Sequence, residues 1–172
     1  MTGKKKIDED SIVALYIDTL VGVIKKQWDK IISDLKDLAR QTGITQDIKI
    51  LNEREAIDTF FIANIAISLQ TINNLFPKEQ SKRLQELIIE VLDDEQKTEI
   101  NNFTDIYNKA VENIDDPIYL ISSTLLYKWL GQEIRELEKK VTYLHLIIMY
   151  IEKIISGYGD FWNNVKVTYK LT

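Results

Sequence analysis

NEREAIDTFFIANIAISLQTINNL, residues 52 to 75, decides how the chain folds. Asn52 followed three residues later by Glu55 reads as a capping box, which predicts a helix from here to about Leu75. Its centre, from Ala56 and Ile57 through Phe60, Phe61, Ile62, Ala63, Ile65, Ala66, Ile67 and Leu69, is apolar nearly all round. A helix without a polar face is normally buried on several sides, so this one belongs at the centre of a bundle. Pro77 then interrupts the pattern, because its ring and missing N–H cannot continue a helix.

Upstream, a first long helix is expected from about Asp8 to Thr42. Asp8, Glu9, Asp10 and Ser11 supply capping groups and negative charge at its start, and Gly43 stands where a left-handed residue would end it. Inside it Ile17, Val21, Ile24, Trp28, Ile31, Leu35 and Leu38 recur at 4-3-4-3-4-3. That heptad spacing predicts coiled-coil-like packing against another helix. Downstream, apolar stripes predict helices at about 78–92 and 95–114, the second capped by Asp93-Asp94. Asp116-Pro117 is a cap and first-turn pair opening a further helix. The seam resumes through Leu130, Ile134, Leu137, Val141, Leu144, Ile148, Ile151 and Ile155, and no capping residue announces a new start after Gly131. One helix from Pro117 to about Ile155, kinked at Gly131, is therefore expected.

After Ser156 the signals change. Gly157-Tyr158-Gly159-Asp160 reads as a turn, and Val165, Val167, Tyr169 and Leu171 alternate with polar residues as in a strand. Residues 157–172 are expected to be a non-helical tail, with a short extended segment, and residues 1–7 a flexible one. Asp47-Ile48-Lys49-Ile50 is the other alternating stretch and a conceivable pairing partner for the tail. The overall expectation is all-α: a single domain over 1–172, built as one bundle of five to six helices with two long heptad-patterned members.

Composition bounds the function. The chain has 172 residues, 45% apolar and 28% charged, with a net charge of −5. These values suit a soluble globular domain large enough to fold on its own core. With no cysteine, there is no disulfide scaffold, thiolate zinc site or thiol nucleophile. The acidic balance argues against a nucleic-acid backbone as the main partner. Neither a signal peptide nor an uncharged run of membrane-spanning length is present, so a cytoplasmic protein with no membrane partner is expected.

No residue pattern announces chemistry. His145, the single histidine, has Val141, Thr142, Ile148 and Met149 three and four residues away, so no carboxylate partners it on its own helix. Glu55 with Asp58, Glu86 with Glu90, Glu112 with Asp115, and Glu133 with Glu136 pair acids on helical faces, as caps and solvated surfaces also do. Phosphate-cradling glycine motifs and nucleophile elbows are missing. No catalytic, cofactor or metal residue is assigned. Trp28 and Trp129 belong to a core or interface. Tyr158, Phe161, Trp162 and Tyr169 either fold back over the bundle end or offer an aromatic contact to a partner.

The leading expectation is a non-enzymatic interaction protein, an adaptor, regulator or assembly subunit that self-associates as a homodimer. One alternative is a helical metal-dependent enzyme or small-molecule binder, with acids such as Glu55 and Asp58 or Glu112 and Asp115 lining an inter-helix pocket. The other is a subunit of a nucleoprotein assembly that uses Lys4, Lys5, Lys6 and the lysines of the first helix.

Overall fold

The computed structural model describes residues 4–41, 50, 52–131 and 140–172. They form an all-α bundle: α1 (Glu9–Gln41), α2 (Glu53–Leu75), α3 (Lys78–Glu90), α4 (Asp94–Glu112), α5 (Pro117–Leu130) and α6 (Lys140–Thr168). Two three-residue strands, β1 (Lys5–Ile7) and β2 (Tyr169–Leu171), pair in parallel. No described helix is long and apolar enough to cross a membrane.

The central position expected for α2 is observed. It packs against each of the other five helices. Phe60, Ile62, Ala63, Ile65, Ala66 and Ile67 are all buried, as are Asn64 and Ser68. Asn64 keeps its place by donating to the Phe60 carbonyl at 2.8 Å. At the start of α2 the Asn52 side chain accepts from the Glu55 N–H at 3.3 Å. Glu55 replies to the Asn52 side-chain amide, not to its backbone.

The long helices bury part of the heptad seam, Ile24, Trp28, Ile31 and Leu35 on α1 and Leu144 and Ile151 on α6, within a covered face that extends beyond it. On α1 Ile12 and Val13 are covered, followed by Tyr16, Leu20, Ile24, Trp28, Ile31, Leu35 and Ala39, while Ile17, Val21 and Leu38 are half-buried. Steps of 4-4-4-3-4-4 follow a helix that presents different faces to several neighbours. A strict 3.5-residue repeat would keep one face toward one partner. On α6 the covered face includes Tyr143, Ile147, Tyr150, Ile154, Tyr158 and Trp162.

Three boundaries differ from expectation. The single helix Pro117–Ile155 does not form: α5 ends at Leu130, where Gly131 adopts φ 73°, ψ −166° and its N–H donates to the Tyr127 carbonyl. That backbone region is open essentially to glycine alone, so the residue that was expected to kink a helix ends one. Ile134 and Leu137 of the predicted seam, and Asp47 to Lys49 of the proposed strand, lie outside the described residues.

The second difference is the tail. Residues 157–168 are helical, continuing α6 across Gly157 and Gly159. Glycine in a helix costs about 1 kcal/mol relative to alanine. Tyr158, Trp162 and Val165 all point into the core, and burying such side chains contributes roughly 1.5–3 kcal/mol each. Packing therefore wins over the local turn signal. Only the last residues are extended, as β2.

Third, residues 5–7 are not loose. Lys5 aligns with Tyr169, Lys6 with Lys170 and Ile7 with Leu171. The Thr172 N–H donates to the Ile7 carbonyl at 3.1 Å, and the Lys4 ammonium to the Lys166 carbonyl at 2.6 Å. Just beyond the ribbon, the nearly buried Glu9 carboxylate accepts two bonds of 3.0 Å from Arg83 of α3. These bonds hold the Glu9 carboxyl below the usual range, against the opposing pull of burial.

Candidate functional site

Four features of the surface and core bear on function. The first is the α4–α5 corner. The helix α4 ends at Glu112, Asn113 caps it, and the next two residues close a paired turn. The Asp115 N–H reaches back to the Ala110 carbonyl at 2.8 Å, and the Ile114 N–H to the Val111 carbonyl at 3.3 Å. This is the Schellman arrangement, whose left-handed position is usually glycine. Here it is Ile114, at φ 59°. A β-branched side chain in that conformation crowds the backbone and costs on the order of 1–2 kcal/mol.

Burial does not offset this cost, because Ile114 is 95% exposed. Val111 and Tyr119, on either side of it in sequence, are 55% and 44% exposed. Asp116 fixes the exit from the corner by accepting the N–H groups of Ile118 and Tyr119 at 2.9 and 3.3 Å. Sequence reasoning passed over Ile114 as the last apolar residue of a helical stripe. The available signal was its position between a helix and the Asp116-Pro117 start, where a glycine or asparagine is the expected stop.

A cleft between α2, α4 and α5 is the second feature. Glu55, Asp58, Asp93, Glu95 and Glu99 line a cavity of about 590 Å³ together with Arg54 and Lys128. The Lys128 ammonium donates to Glu99. Thr59, buried at the cleft wall, accepts from the Trp129 indole N–H at 3.2 Å and donates to the Ala56 carbonyl. Behind it Trp129 meets Trp28 edge-to-face, with ring centres 5.2 Å apart. Both tryptophans are core residues. Glu55 and Asp58 are thus joined by acids from a second helix, while Glu112 and Asp115 are not among the cleft residues. Among the described residues, no three acidic or histidine side chains are placed to share a metal ion.

The third is the aromatic group that closes the other end of the bundle. Tyr16 contacts Tyr158, Phe161 and Trp162 with ring centres 5.0–5.8 Å apart, and Phe76 meets Trp162 at 5.9 Å. The Tyr16 hydroxyl bonds to Ser68. Burial pushes the Tyr16 and Tyr158 phenols well above their ordinary range, so both stay neutral. Of the four residues considered for partner contact, Tyr158 and Trp162 are buried, and Phe161 and Tyr169 are half-buried. The group folds back over the bundle, so Tyr158 and Trp162 are removed from the partner-contact set.

His145 provides the fourth. It is exposed on α6 in a groove of about 430 Å³, which it shares with Asp34 and Asp37 of α1. Acids do lie near it, but from another helix, where sequence spacing on α6 cannot reveal them. Asp34 also accepts from the Tyr150 hydroxyl at 2.6 Å. Loss of water around Tyr150, followed by that bond and the nearby carboxylate charge, raises its phenol above the ordinary range.

The chain matches no known family model, no curated protein and no solved structure.

Proposed function

We propose that this chain is a non-enzymatic interaction protein, working inside the cell as an adaptor, regulator or assembly subunit and capable of self-association. The observation that carries the reading is Ile114. Strained backbone at an exposed apolar residue lowers stability and contributes nothing to the core, whereas it suits a contact that another protein covers. Val111 and Tyr119 widen the same corner. Supporting this, the buried phenols and indoles are committed to packing, and the buried Thr59 and Ser68 to hydrogen bonds within the bundle.

The test compares wild type with Ile114→Gly as baits in quantitative affinity capture, with urea unfolding of both as a control. Proteins retained by wild type and lost with a fully folded Ile114→Gly are the expected result. Equal retention of every protein would contradict the reading.

A second reading is favoured by the cleft: a binder of small organic cations, with carboxylates from α2 and α4 as the recognition groups. Calorimetric titration with a diamine such as putrescine checks it. Saturable heat that disappears in Asp58→Asn/Glu95→Gln supports it, and no heat contradicts it.

A further inference from the structure

The β1–β2 ribbon gathers charge that the sequence holds far apart. It brings Lys4, Lys5 and Lys6 beside Lys166 and Lys170, all exposed, on a chain of net charge −5. Lys6 and Lys170 stand in register on neighbouring strands, an arrangement that like charges make unfavourable without an anion nearby. The acids closest in sequence are Asp8, Glu9 and Asp10. Asp8 already accepts from the Ser11 N–H and hydroxyl at 2.8 and 2.9 Å, and Glu9 is held by Arg83.

The opposite charge lies at the opposite end. Helices α1 and α2 run antiparallel, since Tyr16 meets Ser68 while the Trp28 indole donates to Glu53. The ribbon precedes Glu9, and the acidic cleft is at the start of α2, level with Trp28. At 1.5 Å per residue, Glu9 and Trp28 are about 28 Å apart along the helix. The bundle thus carries a basic end, where the ribbon packs Ile7, Tyr169 and Leu171 on the core and exposes its lysines, and a concave end where five carboxylates face two cations.

We infer that the ribbon docks into the acidic cleft of a second copy of this chain, lysines of one against Asp58 and Glu95 of the next. Charge complementarity selects this occupant. A second copy presents five carboxylates against two cations in one cavity, a local excess of negative charge that the lysines of the ribbon match. The contact is heterologous, because each copy uses a different end. Every added chain therefore leaves one ribbon and one cleft free, and the series stays open instead of stopping at a dimer. The inference rests on the interaction reading above and adds surfaces distinct from the Ile114 corner.

Sedimentation velocity over a range of protein concentrations tests it, using full-length chain. Wild type is expected to grow in average mass with concentration at low salt, without a plateau at two copies. From about 0.1 M to 1 M salt the screening length falls from roughly 10 to 3 Å, and association is expected to weaken roughly tenfold or more. Lys6→Glu/Lys170→Glu and Asp58→Lys/Glu95→Lys change exposed residues only, and their circular dichroism should match wild type. Each alone should sediment as one chain, since like charges then face each other, and an equal mixture of the two should associate again.

Wild type staying a single chain throughout would overturn the inference. So would reversed variants that associate like wild type, or a mixture that fails to recover. The same holds if wild type remains monomeric while duplex DNA or phosphatidylserine vesicles bind it and not Lys6→Glu/Lys170→Glu. None of these outcomes would alter the capture result for Ile114→Gly, so the two readings fail separately.

Discussion

Two turns in this molecule carry a residue at positive φ among those described, Ile114 after α4 and Gly131 after α5. They solve the same problem with opposite means. At Gly131 the chain uses the residue that has no Cβ to crowd the backbone, and the helix ends at little cost. At Ile114 it uses a β-branched residue that the conformation disfavours, and leaves its side chain in water. The first turn is built for stability. The second carries strain that no burial offsets, and the proposed contact surface rests on that difference.

Substitutions that exchange the two solutions should show the largest effects first. Gly131→Ala forces a Cβ into a region open essentially to glycine and should lower unfolding free energy by about 1–3 kcal/mol in urea titration. Ile114→Gly should do the reverse, raising it by about 1 kcal/mol, because relief of strain exceeds the added freedom of the unfolded chain. If Ile114→Gly is destabilising, the two turns are not the contrast described. Gly157→Ala and Gly159→Ala sharpen the point from another side. Both glycines are helical, with nothing within 4 Å of an added Cβ, so each change should raise stability by about 0.5–1 kcal/mol. The same substitution thus has opposite signs at 131 and at 157 or 159, and differential unfolding of the three variants reads it directly.

Acid provides the smallest test. The Glu9 carboxyl is held below its ordinary value in the folded chain, mainly by Arg83. Its contribution is present above the unfolded value and is lost as pH falls through the folded one. Wild type and Ile114→Gly should therefore lose this stability together. The gap between them should stay constant within about 0.3 kcal/mol, because backbone strain has no charge to titrate and the sites are independent. A gap that closes in acid would show that Ile114 acts through electrostatics instead.

The fold class was legible because it rests on periodicity. The all-round apolar pattern of 56–69 marked the central helix, and Asp93, Asp116 and Pro117 marked the starts of α4 and α5. What escaped was decided by tertiary contact. Nothing local says that Trp162 and Val165 reach the core and hold a helix across two glycines. Nor does local pattern say that Lys5–Ile7 will pair with Tyr169–Leu171, some 160 residues away in the chain. The cleft was half legible. Glu55 and Asp58 were visible as a pair, but their neighbours Asp93, Glu95 and Glu99 come from the cap and first turns of α4, and Lys128 from α5. The aromatic residues of the tail were noticed for a good reason, and packing placed two of them inside.

The most direct measurement on the central claim is quantitative capture by wild type and Ile114→Gly side by side, each first shown to be folded by its urea midpoint. The account predicts a higher midpoint for Ile114→Gly and loss of the proteins that wild type retains. An unchanged set of retained proteins, on a variant that is folded and more stable, would contradict it.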